Sequence, residues 1–358
     1  MKKFYDRKSP VTGEDHRTML EPRYGGMPTF MRTPLATTLE NLDIAFVGVP
    51  YDGGVTNRPG ARHGPREMRS QSSLMREFHH VTRINPYELA RVADVGDVRF
   101  SKPFDHEAVS QDIENFFRKI HEAGVLPISA GGDHSITYPI FKGIVTDQPI
   151  GMVHIDAHTD TWGEIWGSKF HHGAPFRLAV EDGLLDPKRT IQIGIRGGQN
   201  FLDGIDFSLS NGMRVVFIEE FAELGVKNII EEARKVVGDG PTYISFDVDG
   251  LDPVYAPGTG TPERRQHVHG PRVPSLANSR FGSVLCRSLR RTQHGLPKPP
   301  PACSCQSRWA RPEPLPPLRS DGNRRLSGPF ASPDALRCPT PSAECLVPHE
   351  SEGGLSFE

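Results

Sequence analysis

The chain has 358 residues and a formal net charge of −2, with 36% hydrophobic and 24% charged residues. This length suits one large domain, and the charge balance does not favour binding to nucleic acid or to an anionic membrane surface. No segment approaches the ~18 continuous apolar residues of a membrane span. Residues 1–9 are charged and lack the apolar core of a secretory signal, so we expect a cytoplasmic protein with no membrane partner.

Residues 1–40 are polar, with several glycines and prolines, and we interpret them as an N-terminal arm on the surface. In residues 41–263, short β-branched runs alternate with amphipathic stretches. Strands are predicted at 43–49, 92–98, 126–130, 151–155, 191–195, 214–218 and 243–248. Helices are predicted at 105–124, 140–145, 174–181 and 227–237. This alternation predicts an α/β fold with a mainly parallel, doubly wound sheet and helices on both faces.

Residues 50–67 form a stretch rich in glycine, proline and arginine between the first predicted strand and the next element. We interpret it as a long loop, and loops of this length inside a compact domain are usually functional or disordered.

The segment GMVHIDAHTD at 151–160 is an apolar run that ends in polar side chains. Asp156, His158 and Asp160 are spaced at i, i+2 and i+4, so at strand spacing they point to one side. In open α/β sheets, ligands bind beyond the carboxyl ends of the strands. A mixed set of carboxylate and imidazole donors suits a hard or borderline divalent cation.

Two other predicted strands end in similar residues. Asp247 and Asp249 occur in SFDVDGLDP, and His134 occurs in GGDHS. The combined set has four carboxylates and two imidazoles at three strand ends: His134, Asp156, His158, Asp160, Asp247 and Asp249. Four carboxylates would over-neutralise one divalent cation, so the set favours two cations. The mixed donors favour Mn²⁺ over Zn²⁺, Ni²⁺ or Fe²⁺.

The motifs GGDHS, HIDAHTD and SFDVDGLDP, followed by APGTGTPE at 256–263, resemble the ureohydrolase family of arginases and agmatinases. The resemblance covers residues 43–263. It implies a three-layer α/β/α sandwich, a dimanganese site held by the six residues above, and assembly into homotrimers or homohexamers. Within the family, residues 56–67 and the tryptophans after Asp160 are more similar to the agmatinase branch, which includes guanidinopropionase and guanidinobutyrase.

The resemblance implies hydrolysis of a small guanidino compound. A metal-activated hydroxide attacks the guanidinium carbon, and the products are urea and an amine. The leaving amine needs a proton, and a histidine is the usual donor. His172, which precedes Gly173, resembles the family's loop histidine, and the neighbouring His171 is the alternative.

Three side chains are candidates for substrate binding. Arg58 or Arg62 could pair with a substrate carboxylate as a bidentate fork, which favours a guanidino acid over agmatine. Trp162, with Trp166, could shape a small pocket for free guanidine by cation–π contact, and ordinary packing is the alternative.

Residues 264–358 depart from the family. They contain all five cysteines and many prolines, and no stretch keeps helical or strand periodicity for long, which is typical of a disordered tail. The family's final strand, and the glutamate with which its members grip the guanidinium, have no counterpart there. We interpret the segment as the result of a reading-frame shift near codon 264, and a genuinely evolved tail is the alternative.

Two functions are consistent with these observations. The first is a dimanganese hydrolase of a linear guanidino compound. The second is a metal-binding but inactive homologue that acts as a partner subunit. A zinc deacetylase on a similar sheet is disfavoured because its motifs would not include both DAHTD and SFDVDGLDP.

Overall fold

The structure is a computed structural model that describes residues 22–263 and the backbone of Val284–Arg287. The strands are β1 Ile44–Val49, β2 Val92–Asp97, β3 Leu126–Gly131, β4 Ile150–Ile155, β5 Leu185–Ile195, β6 Arg214–Phe217, β7 Thr242–Phe246 and β8 Val284–Arg287. The α-helices are α1 Gly64–Gln71, α2 Pro86–Leu89, α3 His106–Glu122, α4 Thr137–Ile144, α5 Pro175–Glu181, α6 Asp203–Ser210 and α7 Ile218–Val237.

The strands form one sheet in the order β2-β1-β3-β8-β7-β4-β5-β6. The pairings among β1 to β7 are parallel, whereas β8 runs antiparallel to both β3 and β7. The order confirms the predicted doubly wound topology, because β1–β3 and β4–β7 occupy opposite halves of the sheet. The carboxyl ends of β3, β4 and β7 therefore meet near the point where the strand order reverses.

Helices cover both faces of the sheet, as a three-layer sandwich requires. Helices α3, α4 and α5 pack on one face in a cluster that includes Val47, and α7 packs on the other face against β5 and β6. Phe46 points away from Val47 and joins Phe30 and Met68, because successive strand residues face opposite sides. The helix predicted at 105–124 is α3, and its apolar stripe is buried: Val109, Ile113, Phe117 and Ile120.

Several predicted boundaries differ from the structure. The predicted loop 50–67 ends earlier, because α1 begins at Gly64, and α6 was not predicted at all. Strand β5 begins at Leu185 rather than at residue 191. Helix α7 begins directly after β6 and contains a break at Gly225, whose φ is 75°. Within the predicted N-terminal arm, Phe30 is buried beside Phe46 and Met68.

Residues 264–358 are predicted to be a disordered tail, and within them the backbone of Val284–Arg287 lies between β3 and β7. The rest of that segment and residues 1–21 lie outside the described residues. Among the helices that the structure describes, none is long and apolar enough to cross a membrane.

Candidate metal centre

An aspartate that turns the backbone lies just beyond each of the three central strands. The carboxylates of Asp133, Asp156 and Asp247 each accept a hydrogen bond from the amide two residues later, at 2.7–3.0 Å. Short aspartate side chains favour such turns because they replace a backbone acceptor. The turns direct the predicted ligands of all three strand ends towards one another.

The first group of ligand atoms surrounds His134. Its Nδ1 atom lies 2.7 Å from Asp160 Oδ2, 3.3 Å from Asp247 Oδ2 and 3.4 Å from Asp156 Oδ2. Its other nitrogen, Nε2, lies 2.8 Å from the hydroxyl of Ser245 on β7, which fixes the ring. Asp160 reaches this group from a left-handed backbone conformation with φ of 49°.

The second group surrounds His158. Its Nδ1 atom lies 3.2 Å from Asp249 Oδ2 and 3.5 Å from Asp156 Oδ1. Asp156 therefore directs one carboxylate oxygen to each group, and its side chain is fully buried. A carboxylate shared in this way suits a pair of cations held close together.

The donor groups fit a pair of divalent cations. Among the described residues, His134 Nδ1 is buried and lies close to three carboxylates, but it makes no hydrogen bond of normal geometry with any of them. Burial, and then the charges of Asp247 and Asp156, raise the pKa of Asp249. Buried carboxylates that surround the same imidazole repel one another unless a cation lies between them. The residues present therefore fit a pair of divalent cations.

The loop after β1 is held against the metal centre. Asp133 accepts a hydrogen bond from the amide of Gly54 at 2.7 Å. A Cβ atom at Gly54 would lie 2.8 Å from Ser135 Oγ, so the close approach of the two loops requires glycine. The loop that follows β1 thereby forms one wall of a cleft over the two donor groups.

The two neighbouring histidines of the predicted proton-donor pair have different surroundings. His172 lines the cleft together with His134, Asp247 and Asp249, and its Nε2 lies 2.7 Å from Thr56 Oγ1. His171 is buried, and both of its ring nitrogens bond the backbone of its own loop, at Gly163 O (2.8 Å) and Gly173 N (3.2 Å). Of the two, His172 lines the cleft, and its role as proton donor remains a prediction.

The predicted substrate residues are dispersed. Arg58 lines the cleft and donates to the carbonyl of Pro257 at 3.2 Å. Arg62 is paired with the carboxylate of Asp52 and faces a separate depression. Within the part of the chain that the structure describes, Trp162 is absent from the cleft lining, and Trp166 is exposed beside the depression that Arg62 faces. Their roles in substrate binding remain predictions.

Sequence analysis missed several side chains that support the ligands. His154 and Gln192 lie behind Asp156, with the imidazole Nε2 of His154 2.7 Å from Asp156 Oδ2. Thr261 donates to Asp249 at 3.2 Å, and the carboxylate of Glu263 lies 3.8 Å from His158. A histidine inside an apolar strand, two residues before Asp156 and on the same face, was the available signal for His154.

Arg196 is a further side chain that sequence analysis missed. It is buried at the end of β5 and donates to the carbonyls of Asp249 (2.6 Å), Gly250 (3.1 Å) and Leu251 (2.8 Å). It also donates to the carbonyl of Glu263 at 3.2 Å. One guanidinium thus holds the backbone of the turn that carries Asp249.

Several known proteins are similar to this chain in sequence or in fold. Guanidinopropionase from Pseudomonas aeruginosa is 56% identical over 243 residues, which are 68% of this chain and 76% of the relative. Mitochondrial agmatinase from Gallus gallus is 46% identical, over 66% of this chain and 70% of the relative. The structure of proclavaminate amidinohydrolase from Streptomyces clavuligerus superposes with a TM-score of 0.66 at 38% identity and covers 68% of this chain and 81% of that one.

The family model described as arginase family matches residues 42–265. The match contains all six predicted ligands and His172, and it ends where the sequence departs from the expected pattern. The α/β fold with its mainly parallel sheet agrees with the related structure. The chain therefore belongs to the arginase family.

Proposed function

We propose that this protein is a dimanganese amidinohydrolase that hydrolyses a linear guanidino compound to urea and an amine. The observation that carries the proposal is the position of Asp156, whose two oxygens face two separate groups of imidazole and carboxylate donors. The names of its relatives, guanidinopropionase and agmatinase, support a guanidino substrate. The proposed ligands are His134, Asp156, His158, Asp160, Asp247 and Asp249.

The pair of cations would supply a water molecule activated for attack on the guanidinium carbon. The chain's own residues perform the other tasks. The six ligands would hold the two cations at the floor of the cleft, where the four carboxylates balance their charge. His172 faces the same cleft, and it donates a proton to the departing amine so that the carbon–nitrogen bond can break.

For the substrate, we favour a guanidino acid such as guanidinopropionate or guanidinobutyrate. Arg58 lies at the cleft and can present its guanidinium to a carboxylate, whereas Arg62 is already paired with Asp52. Agmatine, with an amine in place of the carboxylate, would be repelled by Arg58. The closer identity to guanidinopropionase than to agmatinase agrees with this preference.

The remaining expectations follow from family resemblance. We propose a cytoplasmic homo-oligomer, a trimer or hexamer, with residues 41–263 as the catalytic domain, residues 1–40 as an arm and residues 264–358 as a segment foreign to the family. Multi-angle light scattering of the full chain would measure the mass of the assembly. A monomeric mass would contradict the oligomer.

The function is tested by measuring urea release from the full chain with MnCl₂ present. The substrate panel contains 3-guanidinopropionate, 4-guanidinobutyrate, agmatine and arginine, and the expected order of kcat/KM places the guanidino acids first. Asp156→Asn, which alters the carboxylate that serves both groups, should abolish urea release. If the wild-type chain binds two Mn²⁺ ions but releases no urea from any substrate, it is the inactive homologue.

A further inference from the structure

Behind the metal centre lies a buried chain of polar groups that the proposed mechanism does not use. It runs from the carbonyl of Thr159 through Gln192 and His154 to Asp156. His154 and Gln192 are both fully buried, on the neighbouring strands β4 and β5. Buried polar side chains in a strand core are costly unless each makes hydrogen bonds, so their arrangement needs an explanation.

The hydrogen bonds define which nitrogen of His154 carries its proton. Gln192 Nε2 lies 2.6 Å from the carbonyl oxygen of Thr159, which can only accept, so this atom is the amide nitrogen. The same nitrogen lies 3.3 Å from His154 Nδ1. Because the amide donates there, Nδ1 is the acceptor and the proton of the neutral ring is on Nε2.

The protonated nitrogen of His154 faces the shared carboxylate. Nε2 lies 2.7 Å from Asp156 Oδ2, the oxygen directed to the His134 group, while the amide of His158 donates to Oδ1 at 2.7 Å. Each oxygen of Asp156 thus has one donor, and together they fix the rotation of the carboxylate. Phe176 packs edge-on against the His154 ring, with the two ring centroids 4.5 Å apart.

We infer that His154 and Gln192 are positioning residues that hold Asp156 in the rotation needed to serve both cations at once. This inference rests on the proposed metal centre, but not on the proposed substrate or on urea release. Hydrogen bonds to metal ligands from outside the coordination sphere typically alter metal affinity by about 10–100-fold. Loss of the His154 donor should weaken chiefly the binding of whichever cation binds second. That cation needs the carboxylate of Asp156, which the first cation already occupies.

The test uses the full chain, stripped with EDTA and titrated with MnCl₂ by isothermal titration calorimetry, with bound manganese counted by mass spectrometry. We expect His154→Leu to weaken Mn²⁺ binding by about 10–100-fold, or to leave one ion per chain. His154→Gln, which can place an amide donor near the same oxygen, should restore most of the affinity. Gln192→Met should change affinity in the same direction as His154→Leu, by a smaller factor.

Met152→Leu is the matched control, because Met152 is fully buried on β4, two residues before His154, and carries no hydrogen-bond donor on its side chain. It should bind Mn²⁺ as the wild type does. Equal affinity in His154→Leu and the wild type would overturn the inference, and so would an equal loss in Met152→Leu. If His154→Leu does not fold, unchanged affinity in Gln192→Met has the same meaning.

The outcomes separate this inference from the proposed function. A wild-type chain that binds two Mn²⁺ ions without releasing urea would refute the function, while the variants would still decide the role of His154. A wild-type chain that binds no Mn²⁺ would overturn both.

Discussion

The Nε2 atom of His172 lies 2.7 Å from the hydroxyl oxygen of Thr56, which belongs to the loop after β1. The backbone amide of His172 also donates to the carbonyl of Gly54 in that loop, at 2.9 Å. A hydroxyl can both donate and accept, so His172 keeps this hydrogen bond whether or not Nε2 carries a proton. This is a suitable arrangement for a histidine that gives up a proton and regains it.

We therefore expect His172→Asn to lower kcat by about 10²–10⁴-fold at unchanged manganese content, because a positioned acid contributes about that factor. The control is His171→Asn, which removes a ring bonded to the backbone of its own loop. That variant should lower the melting temperature, and it should lower kcat much less than His172→Asn does. A large loss of kcat in His171→Asn, with the stability of the wild type, would instead assign the role of proton donor to His171.

Arg196→Met should destabilise the turn that carries Asp249. The substitution leaves the carbonyls of Asp249, Gly250 and Leu251 without their buried donor, and each unsatisfied group costs about 1–3 kcal/mol. We expect a loss of about 3 kcal/mol in the free energy of unfolding, measured with urea as denaturant, and weaker Mn²⁺ binding.

Arg196→Lys is the companion variant. Lysine keeps the charge but cannot reach several carbonyls with one planar group, so it should restore only part of the stability. Full restoration by lysine would show that charge, rather than the geometry of the hydrogen bonds, is what the turn requires.

Much of the fold was predictable because local patterns and tertiary structure agree in it. The stripe of α3 and the apolar runs of β1 and β4 show their periodicity directly in the sequence. Helix α6 was missed because its residues alternate between polar and apolar without a strong helical stripe, and its burial depends on neighbours distant in the chain. The start of β5 was missed for a similar reason, since the polar residues 186–190 give no strand pattern.

The clustering of the six proposed ligand side chains was predictable because they follow strands in short, dense motifs, whereas most of the side chains that support them were not. Arg196 and Asp249 are 53 residues apart in the chain, and Gln192 and His154 are 38 apart. Such pairs depend on the register between parallel strands, in which His154 lies opposite Gln192 on one side and Ser245 on the other. That register cannot be read from a single sequence, because the pattern of two neighbouring apolar strands is compatible with several registers.

Glu114 should contribute to the pH dependence of stability. Burial raises the pKa of Glu114, but hydrogen bonds from Lys142 and Arg118 outweigh it, so the net pKa lies below its usual value of 4.5. The depressed pKa means that the stabilisation is fully present above pH 4.5 and is lost as the pH falls through the lowered value.

Glu114→Gln should therefore reduce the free energy of unfolding at pH 7 and flatten its decline below pH 4.5. Urea denaturation at a series of pH values measures both effects. Glu107→Gln is the control, because Glu107 is on the same helix in its first turn. An unchanged acid limb in Glu114→Gln would contradict the assigned role.

Sequencing the gene across codons 255–290 should reveal a different reading frame after about codon 264. The family match ends at residue 265, and we expect the other frame to continue with a glycine pair and a strand that ends in a glutamate, as the resemblance implies. The corrected protein should release urea faster than the present chain, because it regains the guanidinium clamp. If sequencing confirms the present reading frame, and neither of the other two frames contains such a continuation, the result would favour an evolved tail.

Arg58→Ala should raise the KM for 4-guanidinobutyrate by about 10–100-fold with little change in kcat, because a hydrogen bond to a charged group contributes about 1.5–3 kcal/mol. Agmatine has no carboxylate, so its KM should stay the same or fall. Arg58 also donates to the carbonyl of Pro257, and loss of that bond alone would affect both substrates equally. Equal effects on both substrates would therefore assign Arg58 to the support of the loop at residues 256–261, and the carboxylate of the substrate would need another partner.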